Sequence, residues 1–135
     1  MATQTKINMQ YIATNICRTS EIGINGNLFG GTMLSWLDTA AASLACYLCS
    51  TPDMITLKVS EVLFRRPVKT GDHIRLYGRA VRVGTSSITL SLEARRFLFG
   101  NQEEKIVCST EMTFVRIDEQ GRPVPIDPSV KQHLA

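Results

Sequence analysis

The residues best suited to chemistry lie in one stretch, NGNLFGGTMLSWLDTAAASLAC, residues 25–46. Asp38 is its one charged residue. A carboxylate held out of water is costly unless it is hydrogen-bonded or used. Two readings of Asp38 stand. It lies at a polar rim, bonded to Ser35 or a loop amide, or it is a general base or nucleophile in a low-dielectric cleft. Gly30 and Gly31 stand just before it. The first turn of a helix has free backbone N–H groups and the positive end of the macrodipole. Glycine lets a ligand approach that backbone closely. Such a place suits a carbonyl oxygen as it becomes negative, the task of an oxyanion hole. The plainer reading of the glycine pair is a turn with close packing. Asp38 lies seven residues past Gly31, about 10 Å along a helix axis. That is too far for one chain to grip one small group, so an acid and a donor from two subunits are expected to meet across an interface.

These residues need a helix to position them. Met33, Leu34, Leu37, Ala41, Leu44 and Leu48 recur at spacings of three and four and form an apolar stripe. Gly31, Ser35, Asp38 and Ala42 share a second, small face. The helix is expected from about Gly31 to Cys49, with Thr51-Pro52-Asp53 as its stop. Lacking the charges of a solvated face, it is expected to be enclosed on most sides, by a sheet wrapped around it and a partner chain closing the rest. A strand is expected before it at 5–16, then a loop at 18–29. Four alternating strands are expected after it at 54–66, 73–84, 85–99 and 104–118, with Pro and Gly turns between. A proline-containing tail begins at about 119. This order reads as one domain over residues 1–135, of α+β class, with the helix on one face of an antiparallel sheet. Exposed sheet edges predict at least a homodimer.

Composition removes several function classes. With 44% hydrophobic residues, the 135-residue chain can build a core without disulfide or metal staples. A net charge of +3 argues against a nucleic-acid partner. No secretory leader and no membrane span are expected from the sequence. Cys17, Cys46, Cys49 and Cys108 sit in apolar segments, as buried free thiols of a reducing cytoplasm do. Cys46 and Cys49 have CxxC spacing but no second pair, so no metal site is expected. His73 and His133 have no nucleophile partner in a recognisable arrangement. Glu61 reads as an outward strand residue, and Trp36 and Phe29 as core or apolar pocket lining. Arg65 and Arg66, with Lys69, form a compact basic group whose forks suit phosphate oxygens; each arginine taken singly reads rather as a solvated strand edge. Gly84, Thr85, Ser86 and Ser87 offer a glycine turn, hydroxyls and amides for a polar ligand, or a plain hairpin.

Three segments in order, NGNLFGGTMLSWLDTAAASLA, KVSEVLFRRPVKTGD and VGTSSITLSLEA, resemble the hotdog-fold acyl-CoA thioesterases, in the branch of small bacterial acyl-CoA hydrolases. The resemblance spans about residues 20–116. It implies a hotdog fold, a five-stranded antiparallel sheet wrapped around one long central helix, paired into dimers and often into trimers of dimers. It implies hydrolysis of acyl-coenzyme A in the cytoplasm, with no cofactor beyond the coenzyme A of the substrate. It makes Asp38 the catalytic acid, Gly31 the amide that polarises the carbonyl, and Asn25 a residue that helps orient the site. Asn27, Phe29, Gly30, Arg65, Arg66, Lys69 and Gly84 to Ser87 then contact the substrate. Two residues depart from the family pattern. Gly23 stands where many relatives have asparagine, and Asn27 where aspartate is common. The alternatives are a non-catalytic acyl-CoA-binding or regulatory hotdog protein, and an enzyme acting on carrier-protein thioesters.

Overall fold

Residues whose side chains alternate between two environments form strands, and those that recur every three or four form a helix. The computed structural model, which describes residues 9–134, follows both rules. The elements are β1 (Gln10–Ile16), α1 (Gly30–Cys49), β2 (Met54–Phe64), β3 (His73–Val83), β4 (Ser87–Leu98) and β5 (Glu103–Arg116). The five strands make one sheet of order β1-β3-β4-β5-β2, and every neighbouring pair is antiparallel. The helix lies against one face and touches all five strands. Residues 5–8 of the expected first strand lie outside the described residues.

The sheet's inner face carries the alternation. Ile74, Leu76, Gly78 and Ala80 of β3 are buried, and so are Ile88, Leu90, Leu92 and Ala94 of β4. They meet Met33, Leu37, Ala41, Leu44 and Leu48 of α1 in a single core. Gly78 lies where side chains of helix and sheet crowd the backbone of β3. A Cβ there would stand 2.9 Å from Leu92 Cδ2 and 3.0 Å from Leu44 Cδ2, both buried. Gly78→Val is therefore expected to destabilise the fold by about 1–3 kcal/mol or more through overpacking. Denaturant unfolding checks this: a midpoint equal to that of the parent would contradict the packing described.

Three features differ from expectation. The helix is not enclosed in the protomer: Ser35, Thr39, Ser43 and Tyr47, spaced by four, are exposed. The helix ends at Cys49 as expected, but its stop is Ser50 rather than Pro52: Ser50 takes a left-handed conformation (φ 54°) and its N–H turns back to the Cys46 and Tyr47 carbonyls. The alternation of β2 does not become alternating burial. β2 is an edge strand with register slips at Thr56/Lys58 and Ser60/Leu63, and most of its residues are exposed. Arg65 and Arg66 lie beyond its end, both N–H groups donating to the Val107 carbonyl.

Past β5 the tail is more than a connection. Its amides at Val124 and Ile126 donate to Arg116 O and Thr85 O, and Ile126 and Val130 are buried in the core.

Candidate active site

Asp38 is half-buried on α1, on the side that faces β2. Its partner is neither Ser35 nor a loop amide. Thr56 donates its hydroxyl to Asp38 Oδ1 at 2.7 Å. Thr56 stands opposite the buried Phe114, hence on the sheet's inner face, and that register aims its hydroxyl at the helix. A hydrogen bond to one carboxylate oxygen fixes the side chain's direction and leaves the other oxygen for a further partner. Sequence reading missed Thr56. The bond depends on how β2 lies across α1, and no local spacing encodes that.

Gly31, Ser35, Asp38 and Thr56 form the polar side of one groove of about 370 Å³. Leu34, Val59 and Met112 form its apolar side. The glycine–serine–aspartate spacing seen in the sequence thus becomes one wall.

The helix start leaves backbone donors free. Phe29 is the N-cap, and its carbonyl accepts from Thr32 and Met33 at 3.0 and 3.2 Å. The N–H groups of Gly30 and Gly31 have no acceptor among the described residues. They belong to different openings. Gly31 lines the Asp38 groove, whereas Gly30 lines a second hollow of about 360 Å³ with Asn25, Asn27, Phe64, Arg65 and Arg66. Two aromatic rings flank the glycine pair. A Cβ on Gly31 would stand 2.8 Å from the Phe29 ring, and one on Gly30 would stand 3.4 Å from that of Phe64.

The second hollow is held by its polar residues. Asn25 Oδ1 accepts from the Asn27 amide at 3.2 Å, and Asn27 Oδ1 accepts from Lys69 Nζ at 2.6 Å. Arg65 directs Nε and Nη2 onto Ser109 Oγ, and Arg66 Nη1 donates to the Ile106 carbonyl. The protomer does not bring Asn25 into the Asp38 groove. It keeps Gly84 to Ser87 in the β3–β4 hairpin, where Gly84 N–H donates to Ser87 O and the tail and Arg116 amides take the Thr85 and Ser86 carbonyls. These four residues line neither groove. Gly23, which departs from the resemblance, has ordinary backbone geometry and room for a side chain, the nearest atom to an added Cβ being Asn27 O at 3.5 Å. Glu61 lies in the β2 irregularity with φ 37°, in an outer hollow away from Asp38. His73 packs edge-on against Phe99. Among the described residues no helix is long and apolar enough to cross a membrane.

Residues 25–97 match the model of the thioesterase superfamily. The chain belongs to that superfamily. The matched span covers the helix start, Asp38, Thr56 and both arginines, and every lining residue of the Asp38 groove except Met112. An uncharacterized acyl-CoA thioester hydrolase of Buchnera aphidicola (subsp. Schizaphis graminum) is 33% identical over 107 residues, covering 77% of this chain and 78% of the relative. A hexameric hotdog-fold thioesterase of Campylobacter jejuni superposes with a TM-score of 0.79 at 30% identity, covering 91% of this chain and 95% of that one. A hexameric broad-specificity acyl-coenzyme A thioesterase, crystallised as an aspartate-to-alanine mutant enzyme, superposes with a TM-score of 0.84 at 27% identity, covering 93% and 91%. The architecture of this thioesterase is accordingly the hotdog fold, and the chain is an enzyme of thioester hydrolysis.

Proposed function

We propose that the protein hydrolyses acyl-CoA thioesters to a carboxylic acid and coenzyme A. One observation carries this reading: the helix of each protomer bears an oriented carboxylate, Asp38, and, at its start, a backbone amide without an acceptor among the described residues, that of Gly31. The names of the relatives support the substrate class. Asp38 takes a proton from water as the oxygen attacks the thioester carbonyl, or attacks that carbon itself and is then released by water. The Gly31 amide takes the negative charge that develops on the carbonyl oxygen. The C–S bond breaks, and the thiolate of coenzyme A leaves and gains a proton. Carboxylate, amide and water suffice for these steps, so no cofactor is required.

About two helical turns separate Gly31 from Asp38 on one helix. The working site therefore pairs one protomer's helix start with its partner's Asp38. The unpaired edge of β2, with Ile55, Leu57, Val59, Leu63 and Phe64 exposed, supports a homodimer at this edge. The hexameric neighbours support a trimer of dimers. The hollow bearing Asn25, Asn27, Gly30, Phe29's neighbour Phe64, Arg65 and Arg66 suits the phosphates of coenzyme A, with Lys69 beside it. Gly84 to Ser87 reach the substrate only from a partner subunit. The free thiols of all four cysteines support a reducing, cytoplasmic setting.

The test mixes the purified protein with a panel of acyl-CoAs and a thiol-reactive dye. Thiol release well above the protein-free rate is expected. Tight acyl-CoA binding without release would overturn the hydrolase reading in favour of a non-catalytic binder. Turnover only with carrier-protein thioesters would move the substrate class.

A further inference from the structure

The apolar side of the Asp38 groove has one member unlike the rest. Met112 is fully buried and belongs to the core, whereas every other lining residue is half-buried or exposed. It sits on the inner face of β5, opposite Val59 of β2 and Leu90 of β4. Met112 is thus where the groove meets the packed interior. Leu34, one helical turn before Asp38, and Val59 border the groove above it. A thioester whose carbonyl carbon lies beside Asp38 must lay its alkyl chain along apolar atoms, because a methylene left against polar groups forfeits its transfer energy. The apolar atoms next to Asp38 are those of Leu34, Val59 and Met112. Methionine is unbranched and adaptable, so it can close the floor over chains of differing length.

We propose that Met112 is the floor of the acyl-chain site and sets the chain length that the groove accepts, with Leu34 and Val59 as its walls. This rests on the acyl-thioester reading above and adds to it the residue that selects among substrates. The experiment compares kcat/KM across straight-chain acyl-CoAs for the parent, Met112→Ala and Val59→Phe. It also measures the chain-length dependence of binding with non-hydrolysable thioether analogues. Met112→Ala opens the floor toward the core, and the preferred chain lengthens by two or more carbons, with the longer chain gaining about tenfold relative to the parent's best substrate. Val59 is 40% exposed in the protomer, so Val59→Phe keeps the protomer's fold; it shifts preference to shorter chains, with sedimentation run beside the assay to show that the parent's assembly is retained. If Met112→Ala does not fold, Val59→Phe with the analogue series decides. Relative profiles of both variants that match the parent overturn the assignment. If no acyl-CoA is turned over at all, the hydrolase reading fails, while a length shift in analogue binding still upholds the floor.

Discussion

Asp38→Asn lowers kcat by roughly 10²–10⁴-fold, the usual contribution of a positioned general base. The change is well suited as a test because it disturbs little else. Asparagine keeps the shape of aspartate, and its Oδ1 still accepts from Thr56, which lies 2.7 Å from that atom in the parent. What is lost is the negative charge and the ability to take a proton or form an acyl bond. Acyl-CoA affinity and the unfolding midpoint should therefore stay close to the parent's. Thr56→Val serves as a comparison. It leaves the carboxylate in place but frees its direction, so a smaller fall in kcat is expected than for Asp38→Asn. Steady-state thiol release, with binding measured separately by calorimetry, checks both. Parental turnover by Asp38→Asn would remove Asp38 from the reaction.

The second large effect concerns the edge of β2. Leu57 is 63% exposed and sits at the Thr56/Lys58 register slip, so it has no partner residue on β5. An exposed apolar strand edge is a template for pairing. In a two-fold assembly the same patch serves both subunits, so a residue near the axis meets its own copy. In the proposed dimer at this edge, Leu57→Asp puts a carboxylate on the apolar patch of each subunit while leaving the protomer's own core untouched. The dimer is expected to weaken by about 10²-fold, in line with the several kcal/mol that like charges cost at an interface. Sedimentation at graded concentrations, run beside the thiol-release assay, reads both quantities. Hydrolysis per protomer should fall together with the dimer fraction, and Leu57→Ala should retain most of each. A monomeric Leu57→Asp that turns over at the parental rate would show that one subunit's Gly31 and Asp38 suffice, contrary to the axial distance between them.

How far the sequence reveals this molecule depends on which residues carry the signal. β3 was legible because it lies inside the sheet, with a neighbour on each side and α1 across its inner face. Its period of two in residue type therefore became a period of two in burial. β2 has a similar pattern of types, but it has one neighbour, and its slips break the period. Asp38 was legible as a lone charge in an uncharged helix. Thr56 was not, because a threonine in a strand is ordinary until the sheet is laid across the helix. The basic residues were legible as a group, yet their sequence spacing did not reveal that Arg65 and Arg66 already spend donors on Ser109 and Ile106. Ile126 and Val130 are spaced by four within a tail that otherwise reads as loop. Their burial depends on the tail returning to the core, which only the folded chain determines.

The buried cysteines bear on the reaction's by-products. Hydrolysis of acyl-CoA sets free a thiol, and the substrate itself is an acylating agent toward other thiols. A reactive cysteine near such chemistry would be acylated by thiol–thioester exchange, or captured as a mixed disulfide with coenzyme A under oxidation. Only the thiolate reacts in either case. Burial pushes the Cys108 thiol up to about 11, and burial also raises Cys17 and Cys49. At neutral pH the thiolate of Cys108 is therefore a fraction on the order of 10⁻⁴, behind side chains that exclude a ligand as large as coenzyme A. The same packing that fills the core thus keeps these thiols from trapping the acyl group on the protein.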